Sequence, residues 1–275
     1  MRRRTFLASL SALAGTKAVQ SERSRLRVLV ITGQTDLPYH DWTKTTPFLK
    51  RVLESTGRFE VTVLDAPKTL SASMLAPYQA VILNYNGPRW GAEPEKALED
   101  FLRAGGGMVA FHGVSYGAFL GMEQDAKGRF QWSTKPDAEW KAYKEMIGTT
   151  WEPANIGHSA RHEFRVKFAD PDHPITRGLG PDYLIDDELY HKMAHMPGIR
   201  VIMTAYSDPA KRGTGKDEPI AWTVSFGKGR VFHTTNGHDL RAINTWGFLT
   251  TFARALEWVA TGDVTLTGRI DPIMQ

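Results

Sequence analysis

Short β-branched runs alternate with helical segments through the first 113 residues, and this alternation restricts the fold more than any other feature of the chain. Residues 26–32 form an apolar run that Gly33 ends, the pattern of a strand buried on both faces. Residues 46–54 read as a helix, with Thr46 as cap, Pro47 in the first turn, and Leu49, Val52 and Leu53 on one side. Strands follow at 59–64 and 79–83, then a helix at 93–103 that Gly105, Gly106 and Gly107 stop, then a fourth strand at 108–111. The expectation is an α/β fold with a mostly parallel sheet flanked by helices. Beyond residue 113 the rhythm breaks. Residues 114–160 predict a loop-rich insertion with one short helix near 138–146, and additional C-terminal strands follow at 162–168, 183–189, 199–205, 220–225 and 230–234. Leu249, Phe252, Ala253, Leu256, Val259 and Ala260 then mark one face of a final helix. With no internal repeat or linker, residues 25–262 read as one elaborated domain and 263–275 as a tail.

The 275 residues are 41% hydrophobic, enough to build a core and to exclude disordered or collagenous classes. There is no cysteine, which removes disulfides, thiolate metal sites and a cysteine nucleophile. The formal charge of +4 is concentrated at the start, where residues 1–18 carry Arg2, Arg3, Arg4 and Lys17 and no acid. What remains is formally neutral and lacks the field that gathers nucleic acid, so no nucleic-acid partner is expected. The arginines precede an apolar stretch at 6–14 and then small residues, the layout of a secretory signal too short to span a bilayer. Paired arginines followed by Thr5-Phe6-Leu7 resemble a twin-arginine-type signal peptide in particular. Residues 1–18 therefore predict export to a periplasmic or extracytoplasmic location, and no later run is a membrane span.

In an open parallel sheet, ligands bind beyond the carboxyl ends of the strands, where the strand order reverses. For a flavodoxin-like order 2-1-3-4, the first, third and fourth strand exits are neighbours. They carry His40-Asp41-Trp42, then Asn84-Tyr85-Asn86-Gly87, then His112-Gly113. Imidazole, carboxylate, amide and indole groups together describe a polar pocket with aromatic walls, which suits a sugar better than a phosphate. No G-x-G-x-x-G follows the first strand and no P-loop pattern occurs, so no nucleotide or flavin is expected. His112 stands at a strand-to-turn elbow where hydrolases place a nucleophile, but imidazole there suits proton transfer or metal ligation instead. His238 leaves the last strand in the same way. In Asp186-Asp187-Glu188-Leu189-Tyr190, strand alternation puts Asp186, Glu188 and Tyr190 on one face and Asp187 on the other; a charged solvent edge explains the group equally well. His158 and His162 have the spacing of a helical metal pair, but Gly157 and the strand that follows argue against a helix. His173, His191 and His195 read as solvated or turn-capping.

These pieces together resemble the trehalose-utilisation (ThuA-like) domain family, whose fold is related to class I glutamine amidotransferases. The resemblance spans about residues 25–262 and rests on His40-Asp41-Trp42, Gly105-Gly106-Gly107 leading to His112-Gly113, and His173-Pro174-Ile175-Thr176-Arg177-Gly178-Leu179. It continues through Asp187-Glu188-Leu189-Tyr190, Pro219-Ile220-Ala221-Trp222, Gly227-Lys228-Gly229-Arg230 and Gly237-His238-Asp239. It implies a role in carbohydrate metabolism on 3-keto-glycosides or related disaccharide derivatives. The amidotransferase relatives carry cysteine at the elbow where this chain has His112, so their mechanism does not transfer. Two readings follow. In the first, the chain is a keto-sugar isomerase, lyase or hydrolase, with His112 and His238 moving protons and Glu188 as base or orienter. His40, Asp41, Asn84, Asn86 and Tyr190 then hold the sugar, with Trp42 as a stacking wall. A divalent metal would polarise the ketone in place of an acid, with His40, His112 and His238 as ligands. In the second, the chain is a non-catalytic carbohydrate-binding or assembly module with the same pocket. The sequence leaves the oligomeric state open.

Overall fold

The computed structural model describes residues 24–34, 40–127, 129–152 and 157–273; the export signal read at residues 1–18 lies outside them. The first half runs β1 (Leu26–Ile31), α1 (Trp42–Ser55), β2 (Phe59–Leu64), α2 (Ala72–Leu75), β3 (Ala80–Leu83), α3 (Ala92–Arg103) and β4 (Gly107–Phe111). The insertion holds β5 (Met122–Gln124), β6 (Phe130–Trp132), α4 (Tyr143–Ile147) and β7 (Thr149–Trp151). The second half adds β8 (His162–Phe168), β9 (Asp182–Asp187), β10 (Met193–His195), β11 (Arg200–Tyr206), β12 (Asp217–Phe226), β13 (Gly229–Thr234), α5 (Leu240–Ile243) and α6 (Trp246–Thr261).

One sheet of nine strands, in the order β2-β1-β3-β4-β13-β12-β11-β8-β9, organises the molecule. From β2 to β13 every pairing is parallel, and from β13 to β9 every pairing is antiparallel. The 2-1-3-4 order expected from the sequence is present, and β13 extends it by returning parallel to β4. The parallel strands are buried on both sides, which is why they read as unbroken apolar runs. Val28, Val30, Val109 and Phe111 face α1 and α6, while Leu29, Ile31, Met108 and Ala110 pack on the opposite side among residues of α3 and α4.

Three local readings change. Helix α1 starts at Trp42, not near residue 46, because the Asp41 carboxylate accepts from the Thr43 backbone N–H at 3.1 Å and caps the end four residues earlier; Pro47 then falls inside the helix. Helix α6 is buried on nearly every side, not along one face, because the tail crosses it: Thr265 and Leu266 donate to the fully buried Glu257, and Ile270 donates to Thr250. His173 and His191 are buried: His173 accepts from the Ile175 N–H in a turn, and His191 lies 3.2 Å from the Ser207 hydroxyl. Two insertion tryptophans, Trp140 and Trp151, are buried anchors, the first donating to Glu99 at 2.6 Å and the second to the Ser115 carbonyl.

His233, on β13, is wholly buried against Trp222, with ring centroids 4.8 Å apart, and neither ring nitrogen has a hydrogen-bond partner among the described residues. Burial, with a smaller push from His195, lowers its pKa from 6.5 to about 3. Below pH 6.5 the unfolded chain takes up a proton there that the folded chain refuses, so stability falls as the pH drops towards 3. The His233→Leu variant is expected to lose about 2 kcal/mol less than the wild type between pH 7 and pH 5 in urea melts.

Candidate active site

The chain leaves β1 for β2 on one side and reaches β3 on the other, which opens a cleft at the carboxyl edge of the sheet. Five strand exits empty into it, that of β3 bringing Asn84 and Asn86. His40 precedes α1, His112 follows β4 directly, His238 follows β13, and Glu188 and Tyr190 follow β9. The ring centroids of His40 lie 4.9 Å from those of both His112 and His238, which are themselves 5.1 Å apart. Nitrogens of the three imidazoles lie within 4.8 Å of one another.

Each of these groups is aimed by backbone. His112 turns the chain with a φ of 47°, a conformation that non-glycine residues adopt rarely and at a cost of order 1–3 kcal/mol. Its Nδ1 lies 2.7 Å from the Thr235 carbonyl oxygen, which only accepts, so Nδ1 carries the proton and Nε2 offers a lone pair to the cleft. Within reach of that lone pair are the Tyr190 hydroxyl at 3.2 Å and His238 Nδ1 at 3.1 Å. Gly113 is required by the packing, since a Cβ there would stand 2.6 Å from His40 Nδ1. The Asn86 side-chain amide donates to the carbonyls of Gly113 and Tyr116 and pins this turn.

Behind the cleft, the wholly buried Asp187 accepts from the N–H of Gly237 at 2.7 Å and of Glu188 at 2.8 Å. It thereby fastens the end of β9 to the loop that carries His238. Arg161 adds a second tie, reaching Asp186 at 2.9 Å and clasping both oxygens of Asp239 at 2.7 and 3.1 Å. Asp239 also caps α5 through the Ala242 N–H.

The titrating groups diverge. Burial, then the charge of His238, lowers His40 from 6.5 to about 3, and burial with the neighbouring imidazoles holds His112 well below 6.5. Burial also pulls His238 down, but the Glu188 carboxylate, 3.2 Å from its Nδ1, outweighs that and the net shift is upward. Glu188 moves the other way: burial raises it, and the facing histidines more than compensate. Burial pushes Asp187 up to about 7 despite its two backbone donors.

His40, His112, His238, Glu188 and Tyr190 converge. Trp42, Asn84 and Asn86 line the same cleft, which holds a partly open cavity of about 20 Å3, room for one water. Asn84 is turned to the scaffold and donates to the Thr45 and Thr46 hydroxyls at 3.0 and 2.9 Å. Asp41 serves as the cap of α1 and pairs with Lys44 at 3.0 Å. His158 and His162 do not pair across a helix: His158 lies 3.6 Å from Glu188 at the rim, while His162 begins β8. Glu188 and Tyr190 do both reach the cleft, but not by strand alternation, because β9 stops at Asp187. Sequence reasoning passed over Arg161, Thr235 and the anchoring role of Asp187. For Asp187 a signal existed, because it falls on the apolar face of an otherwise amphipathic strand.

Fold and site together define a flavodoxin-like α/β protein with a cleft of imidazoles and one carboxylate at its switch point. The family model for trehalose utilisation, ThuA, matches residues 27–259, and the chain belongs to this family. A ThuA-like protein from Parabacteroides merdae is 28% identical over 89% of this chain and 93% of its own, with a TM-score of 0.70. A second, from Bacteroides uniformis, is 17% identical over 93% of this chain and 98% of its own, with a TM-score of 0.68. The fold also recurs at 13% identity in a β-galactosidase from Bacillus circulans, covering 93% of this chain but 33% of that one, with a TM-score of 0.55. No match was found among curated proteins. The close approach at Gly113 predicts that Gly113→Ala destabilises the protein by roughly 1–3 kcal/mol. Adding His40→Ala should restore more than about 0.5 kcal/mol of that loss in a double-mutant cycle of thermal melts.

Proposed function

We propose that this carbohydrate-metabolism protein acts on a sugar bearing a ring ketone, a 3-keto-glycoside or related disaccharide derivative, by removing the proton beside the carbonyl. The observation that carries this reading is the contact between Glu188 and His238, 3.2 Å apart, with the carboxylate favoured as anion and the imidazole favoured as cation. A ring ketone acidifies the neighbouring C–H. Glu188 takes that proton, the electron pair moves into the carbonyl, and the resulting enediolate oxygen needs a positive partner, which His238 supplies. Return of the proton to the adjacent carbon isomerises the sugar; expulsion of the glycosidic oxygen from the β-carbon cleaves it. The Tyr190 hydroxyl, held 3.2 Å from the His112 Nε2 lone pair, completes the donor set around the oxyanion. Trp42 offers a wall for the C–H face of a sugar ring, and the family's link to trehalose utilisation supports the substrate class.

Incubation with 3-keto-trehalose in D2O, followed by NMR, tests this. The wild type is expected to place deuterium beside the ketone or release free sugar. Glu188→Gln should slow that exchange by about 10²–10⁴ while leaving sugar affinity within about tenfold. Binding without exchange in the wild type rejects the chemistry and leaves a carbohydrate-binding module. We also propose export, resting on Arg3-Arg4-Thr5-Phe6-Leu7. Replacing Arg3 and Arg4 by lysine should retain the protein in the cytoplasm on cell fractionation.

A further inference from the structure

We propose that His40, His112 and His238 hold one divalent transition-metal ion of the Zn2+ class, with a coordination position left open towards the cleft. Four features of the chain converge on this. Nitrogens of three imidazoles from three different strand exits lie within 4.8 Å of one another. His112 Nε2 and His238 Nδ1 are 3.1 Å apart, close to the roughly 3.3 Å that separates two ligands of one tetrahedral ion with bonds of about 2.0–2.1 Å. The other nitrogen of His112 is fastened to the Thr235 carbonyl at 2.7 Å, the outer contact that fixes tautomer and ring direction in metal-ligating histidines. The backbone adopts a φ of 47° at His112, and glycine at 113 admits the His40 ring, so two local costs are borne to bring these rings together.

The donor set also narrows the ion. Three neutral nitrogens suit Zn2+, Co2+, Ni2+ or Fe2+, whereas Mg2+ and Ca2+ require oxygen ligands. Three protein ligands with a vacant fourth position is the arrangement of a catalytic centre, since structural sites are closed by four. Glu188 lies 3.2 Å from His238 Nδ1 and balances the charge. Ion binding stands apart from the keto-sugar reading. Its role rests on that reading: the bound ion would supply the positive charge beside the carbonyl oxygen, and Glu188 remains the base.

The test strips the purified protein with a chelator and titrates it by equilibrium dialysis with Zn2+, Co2+ or, as control, Mg2+. One equivalent of Zn2+ is expected, no Mg2+, and visible Co2+ bands of low coordination number. His40→Gln and His238→Gln, at half-buried positions where folding is checked by circular dichroism, should each weaken Zn2+ binding by at least about 100-fold. Folded wild type that takes up no stoichiometric Zn2+ overturns the proposal, as does unchanged affinity in both variants, which places the ion elsewhere. Zn2+ bound without any proton exchange supports the site and removes the keto-sugar reading. Exchange at full rate in metal-free protein keeps that reading and overturns the ion's part in it.

Discussion

The geometry of the cleft depends on one buried carboxylate. Asp187 has no access to solvent, and both of its oxygens accept from backbone N–H groups, Glu188 on one side and Gly237 on the other. The strands that lead to those two residues stand four places apart in the sheet order, β9 at one edge and β13 in the middle. That bridge sets the height of the end of β9 against the loop after β13 and so helps bring Glu188 to His238. Burying the carboxylate is expensive, as its pKa near 7 records, and the two charge-assisted hydrogen bonds offset that expense only in this register. Arg161 repeats the bridge at the surface through Asp186 and Asp239, so the same two segments are fastened twice.

How much of this was legible follows from which interactions are local. The parallel half was legible because strands buried on both faces must be written as continuous apolar runs, and helices between them as periodic ones. The three histidines were legible because chemistry in such sheets concentrates at strand exits, and each lies in a segment that leaves one. Asp41 shows the limit of that argument. It sits at the same exit as His40, but a carboxylate two residues before a free N–H is a helix cap, and local hydrogen bonding claimed it first. Asn84 was claimed in the same way by two threonine hydroxyls of α1. The contacts Asp187–Gly237 and Arg161–Asp239 span 50 and 78 residues, and nothing local in the sequence encodes their partners.

The elbow after β4 shows how a fold can keep a geometry and exchange its chemistry. A side chain at such a turn is presented into the cleft by backbone strain, whatever its identity. An imidazole placed there is directional in a way a thiol is not, because its two nitrogens have separate jobs. One is spent on the Thr235 carbonyl, and the other is thereby fixed as a lone pair facing His238 and Tyr190.

Charge decides what that work can be. Three imidazoles at centroid separations of 4.9 to 5.1 Å cannot all be protonated in a half-buried cleft, and burial drives His40 and His112 towards neutrality. One carboxylate, Glu188, faces them and favours one cation beside itself. The cleft is thus built to hold a single positive charge next to a single base, with the remaining nitrogens arranged as neutral lone pairs. A proton on His238 satisfies that condition; the divalent ion proposed above would do so with the Glu188 carboxylate offsetting one of its two charges. Under the proposed function, the position of the charge is set by the backbone before a substrate arrives, which is the form of preorganisation that stabilises an oxyanion without reorganising the protein around it.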